Sequence, residues 1–201
     1  MKWLAAQGAD IICAQEHTDK DDWSPAGWKR YRPQGNEDHN EAQSNTIYYN
    51  PKTVRLTKKR GAIRMSSPGF RSYRALVWGH FRTRKGNKPI RVAGLHLPAF
   101  YNDSEKNKVE YDKQAVKLAN WVKKGKNRVI AGDFNGSKGG ARMEPIEAEA
   151  RLSDAVKTGP NGQKIDYVGV VRGGNWKIVE TVRGPKFNSD HNCVLVTLET
   201  M

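Results

Sequence analysis

The sequence predicts a strand-rich α/β protein, and three observations point there. Glycine and proline are frequent, at 19 and 9 residues, so the chain turns often. Short β-prone runs recur along its length, bounded by Gly, Pro, Asn and Asp. Only one stretch, about residues 105–124, carries a long helical apolar stripe. The 201 residues fit one domain over 1–201 and can bury a sizeable core. An apolar fraction of 37% with mean hydropathy −0.80 makes that core economical and the surface very polar.

Lys2 to Gln7 reads as the last turns of a helix, stopped by Gly8. Ala9 to Ala14 is a short apolar run and reads as a buried strand, ending at Gln15-Glu16-His17. Residues 17–27 form a polar loop. Trp28 to Arg32, Ser44 to Asn50, Val54 to Ile63, Arg74 to Arg84 and Pro89 to Leu97 are the next strand candidates. Between the first two lies the polar stretch 34–43, whose His39 has no metal-site spacing and reads as a solvated loop residue. Lys85-Gly86-Asn87-Lys88 is a hairpin turn. Ser104 can cap the long helix. Its Tyr111, Ala115, Leu118 and Val122 recur at helical spacing, with Lys106, Lys108, Lys113 and Lys117 on a solvated face. Residues 127–132 form a strand, and Glu144 to Val156 reads as a short helix. Ile165 to Val170, Trp176 to Val182 and Cys193 to Leu198 close the chain, the last as a buried strand.

Lys and Arg exceed Asp and Glu by 35 − 21 = 14. A charge that large points to a polyanionic partner, most simply nucleic acid. No apolar run approaches the roughly 20 residues of a membrane helix. Met1 to Ala6 hints at a signal peptide, but Gln7, Gly8 and Asp10 interrupt it, so the expectation is no targeting segment and a cytoplasmic protein. Cys13 and Cys193 sit in apolar runs. They read as buried free thiols, with a disulfide left open.

The chain is organised around Val129-Ile130-Ala131-Gly132-Asp133-Phe134-Asn135-Gly136. A buried strand ends here in an acid and an amide two residues apart. Such a pair can hold a water and a phosphoryl oxygen together; an Asx-type turn is the alternative. Other core strands also end in chemistry-bearing residues, namely Glu16, His96, Asp166 and the Asp190/His191 pair. In two stacked sheets such tips can gather at one edge.

Gly8 to Glu16, Gly132 to Asn135, Ile165-Asp166-Tyr167 and Ser189-Asp190-His191 resemble, in order, the signature blocks of the endonuclease/exonuclease/phosphatase family. That family includes pancreatic-type deoxyribonuclease, exonuclease III-type repair nucleases, bacterial sphingomyelinases and inositol-polyphosphate phosphatases. The resemblance implies a four-layered α/β sandwich of two mostly antiparallel sheets flanked by helices. It implies that Glu16 and Asp190 hold Mg²⁺ or Mn²⁺ and that Asp133 and Asn135 position the attacking water and the phosphate. It also implies that His191 contacts or protonates the phosphate, with Asp166 orienting it. His96 resembles a second histidine of the deoxyribonuclease and sphingomyelinase branches. Arg74 matches a phosphate-contacting arginine of the first of these, with a plain surface arginine as the other reading.

The family opens with a core strand ending in a metal-binding Asn, which this sequence lacks. Three explanations stand: a start upstream of Met1, a strand supplied by a partner, or a degenerate, weakly active copy. The first is the expectation. The function expected is thus a divalent-metal-dependent nuclease acting on DNA or RNA. A phosphatase or phospholipase of the same fold, and a non-catalytic nucleic-acid-binding copy, are the alternatives. Trp23 and Trp28 could serve a lipid enzyme at a membrane, although core packing is the simpler reading.

Overall fold

The computed structural model describes residues 1–16, 24–33, 45–68, 70, 74–99, 105–187 and 189–201. Trp23, His39 and Ser104 lie outside these. The elements are α1 (Lys2–Ala6), β1 (Ile11–Ala14), β2 (Lys29–Tyr31), β3 (Thr46–Tyr49), β4 (Val54–Arg64), β5 (Ala75–Thr83) and β6 (Pro89–His96). They continue with α2 (Glu105–Val122), β7 (Arg128–Asp133), α3 (Glu144–Glu149), β8 (Ala150–Leu152), β9 (Asp166–Val171), β10 (Trp176–Lys186) and β11 (Asn192–Thr200).

The largest sheet has six strands in the order β4-β5-β6-β7-β9-β8. Its single parallel pair is β6–β7. Parallel neighbours need a long crossover, and α2 supplies it. β1-β3-β2 form a three-stranded sheet and β10-β11 a two-stranded one.

β6 shows why its strand is apolar on successive residues. Ala93 and Leu95 pack on one face with Tyr111 and Leu118 of α2. Ile90 and Val92 pack on the other with Ile47 of β3. Period-two alternation with both faces covered gives a continuous apolar run. A third cluster lies under α1, where Leu4 meets Ile12, Tyr48, Trp28 and Leu195. The layers are therefore α2 with α3, the six-stranded sheet, the two smaller sheets, and α1. This is the four-layered α/β sandwich expected from the sequence. The apolar stripe Tyr111, Ala115, Leu118 and Val122 is fully inside.

Three expectations are corrected. The helix expected over Glu144 to Val156 ends at Glu149, and Ala150–Leu152 is a strand. Pairing with β9 overrides local helix preference there, and Gly169 leaves the space that the Leu152 side chain fills. The Cys193 to Leu198 strand is half-exposed rather than buried, because β11 pairs on one side only. The lysine face of α2 is not wholly solvated, since Lys117 Nζ donates to Met65 O at 2.8 Å. Trp28 packs in the cluster under α1, and Cys13 and Cys193 are free thiols.

Candidate active site

The site is built on one row of the six-stranded sheet. His96 of β6 lies across from Asp133 of β7, and Asp133 lies across from Asp166 of β9. Each follows its strand's inward-facing set. Val92 precedes His96 by four residues, Val129 precedes Asp133 by four, and Val170 follows Asp166 by four; all three valines face the inter-sheet core. Strand periodicity therefore projects an imidazole and two carboxylates into the same space. Ligand atoms of Asp133, Asp166 and His191 lie within 4.8 Å of one another.

His191 arrives on the segment before β11. Its Nδ1 is 2.9 Å from Asp166 Oδ2. A carboxylate only accepts, so Nδ1 carries the proton. The bond to Asp166 is the main cause that raises the His191 pKa, with Asp133 and Asp190 adding to it and burial opposing. Its Nε2 lies 3.9 Å from Asp190 Oδ1.

Asp133 is buried and sits beside a second carboxylate. Burial first, then the Asp166 charge, push its pKa up to about 7. The Asn135 N–H, donated to Asp133 Oδ1 at 2.7 Å, pulls the other way. Asn135 adopts φ 46, a conformation that Asn tolerates in turns. Its Nδ2 donates to Leu97 O at 2.9 Å. The Asx turn raised as an alternative from the sequence is thus present, and it coexists with a position in the cavity.

Arg74 is not a free surface residue. Its Nη1 donates to His96 Nδ1 at 2.8 Å. Arginine cannot accept, so His96 Nδ1 is unprotonated and Nε2 carries the hydrogen. That nitrogen faces Asp133 Oδ2 at 3.6 Å. Burial, then the Arg74 charge and His191, push the His96 pKa down to about 3. The imidazole is therefore neutral at ordinary pH, and neither Asp133 nor Glu16, 3.8 Å from Nδ1, forms an ion pair with it.

Glu16 and Asp190 stand at the rim, with side chains 77% and 70% exposed. Both line the same cavity of about 840 Å³ as His96, Asp133, Asn135, Asp166 and His191. They are outside the three-residue group just described. The donors suit a hard divalent cation, because carboxylate oxygens dominate and space remains for water. The elevated Asp133 pKa supports the same fit, since two adjacent carboxylates ionise together more easily beside a cation.

One residue was missed from the sequence. Gln15 Nε2 is buried and has no hydrogen-bond partner among the described residues. It abuts Gly132, whose φ of 149° and closeness to Leu95 O exclude any side chain. Its place one residue before Glu16 was the available signal.

No family model and no curated protein sequence matches this chain. Solved structures do. An endonuclease/exonuclease/phosphatase protein of Bacteroides vulgatus is 16% identical, covering 100% of this chain and 88% of that one, with a TM-score of 0.74. The mannosyl-6-phosphatase of Bacteroides thetaiotaomicron is 18% identical, covering 98% and 88%, at 0.73. TDP2 of D. rerio, solved with a single-strand DNA product, is 14% identical, covering 98% and 89%, at 0.71. Across nearly its whole length, the chain has the fold of the endonuclease/exonuclease/phosphatase proteins.

Proposed function

We propose that this protein is a divalent-metal-dependent phosphodiester hydrolase acting on nucleic acid. The observation that carries the reading is the gathering of Asp133, Asp166 and His191 at one end of a large cavity. A metal held by Asp133, Asp166 and His191, or by Glu16 and Asp190 at the rim, would neutralise charge on the phosphoryl group and acidify water.

The chain's own residues supply the proton transfers. Asp133, whose pKa lies near neutrality, accepts a proton from the attacking water. The water oxygen bonds to phosphorus as the bond to the leaving oxygen breaks. His191, kept protonated by Asp166, gives its Nε2 proton to that leaving oxygen. His96 presents a neutral Nε2–H donor to the phosphate, and Arg74 fixes that tautomer. Asp133 then loses its proton to solvent and His191 regains one.

Nucleic acid as substrate rests on charge. The edge strand β4 exposes Arg55, Lys58, Lys59 and Arg60, within a chain of net charge +14. The likeness to TDP2, solved with a DNA product, supports the same choice.

The test is incubation with supercoiled plasmid and with single-stranded RNA, with Mg²⁺ or with a chelator, against Asp133→Asn. Cleavage that disappears with chelator and in the variant is the expected result. Hydrolysis of a sugar phosphate without strand cleavage would move the substrate class to small phosphoesters. Nucleic-acid binding that Asp133→Asn preserves, with no turnover in either protein, would make it a binding module.

A further inference from the structure

Two strands end their sheets on edges that no strand covers. β1 pairs with β3 alone, and β11 pairs with β10 alone. The ladders tell which backbone groups are left over. Asn50 N donates to Asp10 O, so Asp10, Ile12 and Ala14 turn toward β3 while Ile11 and Cys13 turn away. On β11, Met201 N donates to Asn175 O beside the start of β10, whereas Asn192 N donates to Thr158 O. Strand alternation then turns Val194 and Val196 away from β10, as Asn192 is.

Both free edges border the same 840 Å³ cavity. Val92, Val129 and Val168 of the six-stranded sheet line it on one side and Leu4 of α1 on another. The active-site row closes one end. The space is thus apolar above and below and flanked by unpaired N–H and C=O groups, an arrangement that water fills poorly and a β-strand fills well.

We infer that this slot seats a β-strand pairing with β1 and β11 at once, joining the two small sheets as β2-β3-β1-strand-β11-β10. The occupant is an extended segment of about five residues joined to the N-terminal side of Met1. Met1 itself lines the slot. A strand leading into α1 and then β1 makes a β-α-β unit, which lays the first strand parallel to the last, and the slot is the edge that β3 leaves open. Covered on both faces, the segment is nearly continuously apolar rather than alternating. Running parallel to β1, it ends level with Glu16, beside the site. The inference is independent of the catalytic reading, and its test does not use activity.

Hydrogen exchange on the 201-residue chain reads the edges directly. The amides of Cys13, Val194 and Val196 are expected to exchange about tenfold or more faster than those of Ile12 and Leu195. Restoring to Met1 the residues that its reading frame encodes upstream should slow those three to their neighbours' rates and raise Tm. Three results overturn the inference: equal protection of all five amides in the 201-residue chain, an extension that leaves the three amides fast, or a stop codon directly before Met1. A free Val/Thr-rich octapeptide, or raised protein concentration, that protects the three amides where the extension does not would overturn the tethered occupant in favour of one bound in trans.

Discussion

Asp166 holds His191 Nδ1 at 2.9 Å while standing directly across the β7–β9 ladder from Asp133. One carboxylate therefore raises the pKa of a histidine and of a second carboxylate together. It keeps the proposed acid protonated and keeps the proposed base from ionising too early.

Asp166→Asn should separate those effects from shape. The amide keeps the size and loses the charge. The Asp133 pKa should fall, moving the acid limb of the pH–rate profile to lower pH. The His191 pKa should fall too, so the alkaline limb moves the same way and activity at neutral pH drops about 10²-fold or more. A profile that keeps its limbs and loses only height would refute this coupling.

Metal binding should release protons. Asp133 holds a proton up to about pH 7, and a cation needs the carboxylate ionised. Mg²⁺ affinity should therefore climb from pH 5.5 to 7.5. Calorimetry in two buffers of different ionisation enthalpy should report net proton release in that range. In Asp133→Asn both the release and its pH dependence should be lost.

Stability should respond to pH in two opposing ways. Folded His96 refuses a proton down to about pH 3, whereas the unfolded residue takes one near 6.5. The unfolded state binds more protons between these values, so His96 costs stability as pH falls through that window. Folded Asp133 keeps its proton up to about pH 7, whereas the unfolded residue loses it near 3.8. Its contribution to stability is accordingly lost as pH rises from about 4 to 7. Urea denaturation should find His96→Gln less acid-sensitive than the parent. It should also find Asp133→Asn more stable by about 1–3 kcal/mol at pH 8, a trade of stability for function.

Gly132→Ala should be severely destabilising. The glycine adopts φ 149°, and a methyl group there would collide with Leu95 O of the neighbouring strand. Both the β6–β7 pairing and the position of Asp133 depend on that close approach. A loss above about 3 kcal/mol is expected. Gly139→Ala provides the contrast, because φ +80 is strained there too but nothing lies within 4 Å. Its cost should be about 1 kcal/mol, read from the same denaturation midpoints.

The chain's own residues determined the strands, the long helix and the polar tips, because those depend on periodicity and turn chemistry that neighbours along the chain carry. Val129 to Asp133 reads as a buried strand with an acid at its end from eight letters alone. What only the tertiary structure decided depends on partners distant in sequence. Arg74 has no local mark that separates it from a surface arginine, and its role emerges when β5 brings it beside His96. Ala150 to Leu152 has helical company in sequence and becomes a strand because β9 offers an edge. The closing strand reads as buried from its apolar letters, yet it is half-exposed, since burial of a strand is settled by what lies beside it rather than by its own composition.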